Sequence, residues 1–374
     1  MLCMACSSSP TGPRDERSPA ASVSAGNASG CALLPDGAVE CWGLAAAGAP
    51  GRTPSLVGGP VRFSMVTLGT RYVCGLSVAG AAYCWGFNST GQLGIGTMVD
   101  TISPAAVLGG RTYTSISAGT SHACAVTAGG DIYCWGDNSL GQFGNGTTTS
   151  STVPVLAAGG LHFTQVAAGN DATCGVTSGG IAYCWGANSF GQLGDGTTTA
   201  RLIPTKPSTD QTFASVTSGS EYACGVTTSH AAYCWGFNVA GALGTGTPGD
   251  RHVPTLVVGG LSFATLAAAS SHTCGLTLQG AAYCWGSDSF GQLGSGPLGV
   301  SRSTPTAVAT NLVFKSMAAG EYLYSDETHN AGTSGHTCGV TTSGATYCWG
   351  DNLVGQLGVA TPGQSVTPVR VLWP

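Results

Sequence analysis

The chain has 374 residues, of which only 8% are charged, with a net charge of -5 and just two lysines, so its surface must be built from Ser, Thr, Asn, Gln and Gly. With no run of Lys or Arg it lacks the electrostatic footprint that a phosphate backbone needs, which argues against nucleic acid and anionic membrane surfaces as partners. No stretch approaches the ~18 apolar residues of a helical membrane span.

The first residues, Met1-Leu2-Cys3-Met4-Ala5-Cys6-Ser7, look like the tail of a bacterial lipoprotein signal, with Cys6 as the lipidated residue. They depart from that pattern because Cys3 stands where Leu is usual and the basic and apolar regions are missing. A start codon placed too late would explain this; the alternative is a disordered leader with two spare cysteines. Residues 7 to 20 read as a flexible tether, so residues 1–20 are set apart from one repeat-built domain over 21–374.

That domain spells Cys, nine residues, Cys-Trp-Gly seven times: Cys31/Cys41, Cys74/Cys84, Cys124/Cys134, Cys174/Cys184, Cys224/Cys234, Cys274/Cys284 and Cys338/Cys348. A β-rich unit repeated about every fifty residues is the signature of a propeller. One copy, residues 153 to 196, contains four short strand-like runs, Val153 to Ala157, Phe163 to Ala168, Thr173 to Thr177 and Ile181 to Gly186. The three links between them are tight and carry glycine or other turn residues, as hairpins require. Only the fourth run is followed by a long connection, through Gly191-Gln192-Leu193-Gly194.

A long link suits the return from an outer edge to the next blade, so each blade is expected to begin with its Pro-containing strand. On that phasing blade 1 is 21–43 completed by 366–372 from the other end of the chain. Blades 2 to 7 are then 53–86, 103–136, 153–186, 203–236, 253–286 and 304–350. The expected fold is all-β: seven four-stranded antiparallel blades, with the ring closed by N- and C-terminal strands in one blade.

Within a hairpin the paired cysteines are equidistant from the turn and therefore opposed, close enough for a disulfide. Seven such pairs, without CxxC zinc spacing, read as disulfides and place the protein outside the reducing cytosol: extracellular, periplasmic or at a bacterial cell surface. Alternation puts each Trp on the opposite strand face from its cysteine, ready to pack on the neighbouring blade.

The copies resemble the regulator of chromosome condensation repeat family. The match is carried by Ala118-Gly119, His122, Tyr133-Cys134-Trp135-Gly136 and Gly141-Gln142-Phe143-Gly144, and it recurs over most of the chain. Gly-Gln-Leu/Phe-Gly stands at 91, 141, 191, 291 and 355, becomes Gly-Ala-Leu-Gly at 241, and is lost in the first copy. The resemblance implies a seven-bladed propeller. It does not imply one function, since members include an exchange factor for a small GTPase, domains of ubiquitin ligases, a plant light sensor and a secreted bacterial β-lactamase inhibitor. The disulfide-paired, Lys-poor copies look most like the secreted bacterial branch.

Function should lie where copies differ. Strand parity places the turns after the second strand and the long connections on one face, and there the copies read Thr70-Arg71-Tyr72, Asn170-Asp171-Ala172 and Ser220-Glu221-Tyr222, among others. The seventh copy inserts Glu321-Tyr322-Leu323-Tyr324-Ser325-Asp326-Glu327-Thr328-His329-Asn330 and a Gly-rich tail before His336. Tyr-rich polar insertions on one face of a repeat scaffold suit protein recognition. The expected contacts are Arg71, Tyr72, Asp171, Glu221, Tyr222, Glu321, Tyr322, Tyr324, Asp326, Glu327 and His329.

His122, His272 and His336 each precede a cysteine by two residues, but those cysteines already have partners, so the imidazoles read as structural and not as metal ligands. Asp171 and Glu221 on adjacent blades lack any accompanying nucleophile or base, and read as turn residues or partner contacts. Asn88-Ser89-Thr90 and Asn145-Gly146-Thr147 match glycosylation acceptors, a pattern that arises readily by chance in a chain so rich in Ser and Thr. The expectation is a monomeric, non-enzymatic, secreted or surface-tethered scaffold that binds another protein and needs no cofactor or metal. The alternatives are inhibition of an extracellular enzyme such as a β-lactamase, and nucleotide exchange.

Overall fold

The computed structural model describes residues 19–44, 51–325, 331–361 and 363–373. They fold as seven four-stranded antiparallel sheets: Ser22–Leu56, Phe63–Ala106, Tyr113–Leu156, Phe163–Thr205, Phe213–Leu256, Phe263–Ala307 and Phe314–Arg370, called blades 1 to 7. In blade 3 the strands are Tyr113–Ala118, His122–Thr127, Ile132–Gly136 and Ser151–Leu156, paired in chain order. The first strands of successive blades touch one another around the ring, and that of blade 7 meets that of blade 1, so the first strand is the inner one. This is the expected seven-bladed propeller.

The grouping of strands corrects the expected phasing. The Pro-bearing strand does not open its blade; it is the outer strand of the preceding one, as Ser151–Leu156 pairs with Ile132–Gly136. The C-terminal strand Ser365–Arg370 therefore pairs with Thr346–Gly350 inside blade 7, and blade 1 has its own fourth strand, Gly51–Leu56. Among the described residues no blade is shared between the two ends of the chain.

Two physical facts explain the difference. The long connection returns to its own sheet, and the crossing to the next blade is made by short links such as residues 107–112, six residues that reach up to ~20 Å against the ~14 Å of three strand spacings. Proline, moreover, lacks the N–H a central strand must donate, so an outer strand is its natural place, where it also discourages edge-to-edge pairing.

The Cys-Trp-Gly unit explains why the ring holds together. All seven expected cysteine pairs are bonded: Cys31–Cys41, Cys74–Cys84, Cys124–Cys134, Cys174–Cys184, Cys224–Cys234, Cys274–Cys284 and Cys338–Cys348. In each, the two cysteines stand in direct register across the hairpin of the second and third strands. Closing a loop of this length stabilises by up to ~2.7 kcal/mol per bridge in the chain-entropy account.

Because neighbouring residues point to opposite faces, the disulfide of one blade packs beneath the tryptophan of the next. Cys31 and Cys41 share a cluster with Trp85, Cys74 and Cys84 with Trp135, and Cys124 and Cys134 with Trp185. The series continues with Cys174 and Cys184 against Trp235, Cys224 and Cys234 against Trp285, and Cys274 and Cys284 against Trp349. It closes with Cys338 and Cys348 against Trp42. Six of these tryptophans are under 2% exposed. The interior is thus seven inter-blade cores, each half from one copy and half from the next.

The Gly-Gln-Leu-Gly loop supplies the polar half of the same joint. Trp135 Nε1 donates to Gln92 O, Trp185 to Gln142 O and Trp235 to Gln192 O, each from one blade to the loop of the blade before, whereas the buried indole N–H groups of Trp85, Trp285 and Trp349 make no such bond. The loop is built around a buried Asn: Asn138 Nδ2 donates to Thr147 O and Thr149 O, while its Oδ1 accepts from Phe143 N. The glutamine side chain accepts from Leu140 N through Oε1. Where Ala242 replaces that glutamine, a single 3-10 turn, Val239–Gly241, shapes the loop.

Candidate protein-binding face

The turns after the inner strands and the long loops lie together, as parity requires: Thr90 Oγ1, in a loop of blade 2, donates to Ser121 O in the turn of blade 3. These turns encircle the axis. At the rim six blades carry a glycine in this position, Gly26, Gly69, Gly119, Gly169, Gly219 and Gly320, and blade 6 has Ala269. The glycines are required by closeness, because a Cβ on Gly119 would stand 2.2 Å from Gly169 O and one on Gly219 2.2 Å from Ala269 O. The turns are stitched blade to blade, Thr120 N donating to Gly169 O and Ser220 Oγ to Ser270 Oγ.

The mouth they enclose has a volume of about 130 Å³. That holds a few waters and falls short of the ~300 Å³ at which small-molecule sites begin. Among the described residues there is also no group of three or more His, Cys, Asp or Glu that could hold a metal ion.

The insertion of blade 7 is not an irregular loop. The inner strand runs on as Phe314–Ser325 and its partner as Ala331–Thr341, with unbroken register from Gly320 opposite His336 to Ser325 opposite Ala331. A β-ribbon therefore continues past the rim where the other six blades turn. At its root Glu321 is buried and accepts from Ser271 N at 2.7 Å and from Ser271 Oγ, tying the ribbon to blade 6. Tyr322 pairs in register with Ser334, and Tyr324 with Gly332. Asp326, Glu327 and His329 lie outside the described residues, as does Cys6.

Three of the expected contact residues are corrected. Tyr72 and Tyr222 are 0% and 1% exposed, and their hydroxyls donate across the joint to His122 O and His272 O at 2.6 and 2.7 Å. Burial raises both phenols above their ordinary range. They are ties between blades and offer nothing to a partner. Glu321, 7% exposed, is taken up by Ser271 and anchors the ribbon. Arg71 is exposed, in a left-handed turn conformation, with its guanidinium 5.0 Å from the centre of the Phe87 ring.

Asp171 and Glu221 do come together, within a longer series. Burial, and then the charge of Asp137, raises Asp171; burial, and then Asp171 and Asp250, raises Glu221. Asp137 goes the other way: although burial opposes it, hydrogen bonds from Ser139, Ser150 and Gln142 hold it below the usual range. The result is an acidic arc across blades 3 to 5 of the same face. Sequence reasoning saw only its middle two members, because Asp137 and Asp250 sit in the long loops.

The three histidines are structural and lie in three different joints. Thr173 Oγ1 donates to Gln142 O and so accepts from His122 Nε2 at 2.9 Å; Thr337, bonded to Gln292 O, accepts likewise from His272 at 3.0 Å, and His336 Nε2 donates to Ser29 O at 3.2 Å. Each ring is therefore the Nε2–H tautomer, with Nδ1 buried and without a partner. Burial pushes their pKa values down to about 4, 3 and 4.

The chain as a whole is similar to known proteins. A family model for the RCC1-like domain matches residues 6–324. Yeast RCC1 (Prp20), solved bound to Kap60, is similar with a TM-score of 0.74 at 19% identity, over 86% of this chain and 78% of that one. Human WBSCR16 is similar with a TM-score of 0.74 at 20% identity, over 82% and 85%. The ectodomain of the receptor kinase CR4 from Physcomitrella patens follows with a TM-score of 0.58 at 25% identity, over 88% and 72%. No curated protein sequence matches significantly. The seven-fold repeat, the joint it builds and the family model agree, and the chain belongs to the RCC1-like domain family.

Proposed function

We propose that this protein is a non-enzymatic scaffold, secreted or tethered at a cell surface, that binds another protein through the face bearing the blade 7 ribbon. The carrying observation is the ribbon itself. Six copies turn at the rim and one extends its strand pair beyond it, with a buried carboxylate fixing its root. A projection on an otherwise repetitive disc is where specificity would be placed. The acidic arc of Asp137, Asp171, Glu221 and Asp250 lies on the same face and favours a partner with a basic patch.

Seven disulfides support a location where thiols oxidise, and the CR4 relative is itself an ectodomain. The yeast relative is found bound to another protein, Kap60. Inhibition of an extracellular enzyme is one form that such binding takes. Nucleotide exchange, suggested by the RCC1 likeness, is the second reading, and the disulfides stand against a cytosolic GTPase partner.

The test replaces residues 323–333 by Asn-Gly, which joins Tyr322 to Ser334 through a two-residue hairpin turn, and compares the proteins that the full and shortened chains capture from extracellular extracts. Partners that bind only the full chain support the reading. Identical capture by both chains contradicts it.

A further inference from the structure

The long loops of blades 2 to 5 are each held by one buried asparagine. Asn88, Asn138, Asn188 and Asn238 accept through Oδ1 from the backbone N–H five residues on. Their Nδ2 donates to two carbonyls, nine and eleven residues on. An amide suits the task because it offers an acceptor and two N–H donors.

Blade 6 keeps the frame and changes that residue. Gly291 N–H donates to Asp288 O and Gly294 N–H to Gly291 O, as Gly191 does to Asn188 O and Gly194 to Gly191 O in blade 4. The asparagine's place is taken by Asp288, 1% exposed. Its Oδ1 accepts from Leu293 N at 3.0 Å, as the asparagines do, but Oδ2, in place of the amide nitrogen, is buried without a partner. A second oxygen of the loop is in the same state, since Ser295 Oγ is also buried and unpartnered. Positions 288 and 295 are neighbours: their counterparts in blade 4, Asn188 Nδ2 and Asp195 Oδ1, stand 3.3 Å apart. The blade 6 loop, residues 287–301, is one residue longer than 187–200, and Gly299 N–H donates to Asp288 O, so the far side of the loop folds back onto the aspartate.

A carboxylate buried without a partner is costly, and burial raises the Asp288 carboxyl, against the hydrogen bond from Leu293 N and the charge of Arg302. Something positive is therefore needed where the amide had its N–H groups. Arg302 does not fill that role, being partly exposed and not bonded to Oδ2. Its counterpart Arg201 pairs with Asp195, whose place Ser295 holds here. A proton falls short too, because the single O–H it makes serves one acceptor where the amide served two. A metal ion serves several oxygens at once.

We propose that the long loop of blade 6 binds a monovalent metal cation, sodium or potassium, through Asp288 Oδ2, Ser295 Oγ and the carbonyls of Pro297 and Gly299, nine and eleven residues beyond the aspartate. One carboxylate balances one charge, and hydroxyl and carbonyl oxygens replace the water of an alkali ion. A divalent ion would keep an excess charge beside Arg302, and among the described residues there is no group of three or more His, Cys, Asp or Glu to offset it. The same loop accepts from Thr337 Oγ1 at Gln292 O and donates from Gly296 N to Val366 O, so the ion steadies the loop against blade 7 beside the ribbon. The inference goes beyond the partner-binding reading and does not depend on it.

The test is hydrogen exchange of the whole protein, read by mass spectrometry, in sodium, potassium or calcium chloride, with choline chloride holding the ionic strength constant. Residues 137–150, whose loop has its asparagine, are the internal control. Exchange of residues 287–301 should slow saturably with sodium or potassium, by about tenfold once the ion stands about tenfold above its Kd, while the control loop does not respond. Asp288→Asn restores the amide of the other loops; it should be protected in choline chloride alone and lose the response. Ser295→Ala should raise the half-saturating concentration about threefold or more. The proposal is overturned if residues 287–301 exchange equally in choline chloride, which leaves a protonated acid in the ion's place, or if calcium alone slows them. It is also overturned if both loops respond alike or if either variant responds as the parent protein does.

Discussion

Trp42 and Gln356 are 314 positions apart in the chain and joined by a buried hydrogen bond of 2.9 Å from the indole N–H to the backbone carbonyl. It is the same bond that Trp135, Trp185 and Trp235 make within the ring, so the closing joint is built like those three internal joints. Trp42→Phe removes the donor, leaves a buried carbonyl unpaired, and should cost about 1–3 kcal/mol. Arg52→Ala, at the outer end of the same joint, should cost less because its contacts are partly exposed. Guanidinium melts of both variants check the order; a silent Trp42→Phe would mean that the ring closes by other means.

The glycine collar separates closeness from backbone freedom. Gly119→Ala should destabilise by ~2 kcal/mol or more, because the new methyl meets the carbonyl of Gly169 at 2.2 Å and backbone has to move. Gly179→Ala, in a hairpin turn where nothing comes nearer than 4.0 Å, should change stability by less than ~0.5 kcal/mol. Equal melting temperatures for the two variants would refute the packing described at the axis.

Tyr72→Phe distinguishes a tie from a contact. Loss of the hydroxyl bond to His122 O should lower stability by about 1 kcal/mol. Because the ring is buried, it should leave capture of partners unchanged; a binding defect without a stability defect would reverse the assignment.

Acid should loosen the ring before it protonates most carboxylates. His122, His272 and His336 are neutral in the fold, with pKa values down to about 4, 3 and 4 from an ordinary 6.5, so the unfolded chain takes up protons first. Their contribution is complete above pH ~6.5 and is lost as pH falls toward the folded values, up to ~2 kcal/mol for each by pH 5. Asp171, Glu221 and Asp288, raised by burial, act in the opposite sense and blunt the slope. Urea midpoints at pH 7.5 and pH 5 should fall by an amount equivalent to uptake of up to about three protons; a flat profile would contradict the buried, half-bonded imidazoles.

Much of this was legible because the signal is repeated. Cys174 and Cys184 flank their turn symmetrically, so both the disulfide and the opposite facing of Trp185 followed from strand alternation. Blade phasing was not legible, since the length of residues 137–150 says nothing about whether the chain leaves its sheet or returns to it. Tyr72 and Tyr222 read as surface because they occupy a variable position, whereas the structure gives their hydroxyls a carbonyl on the next blade. The Gly-rich stretch before His336 read as a loop for want of alternation, yet its strands simply prolong a ladder already set by Cys338.

The account rests most heavily on oxidised hairpins, and counting thiols tests that directly. The native protein, unfolded in denaturant without reductant, is alkylated and its mass measured. The fold predicts that none of the fourteen cysteines of the seven hairpin pairs takes up the label, leaving only Cys3 and Cys6 to react. Labelling of most of the fourteen would remove both the stapled propeller and the case for a role outside the reducing cytosol.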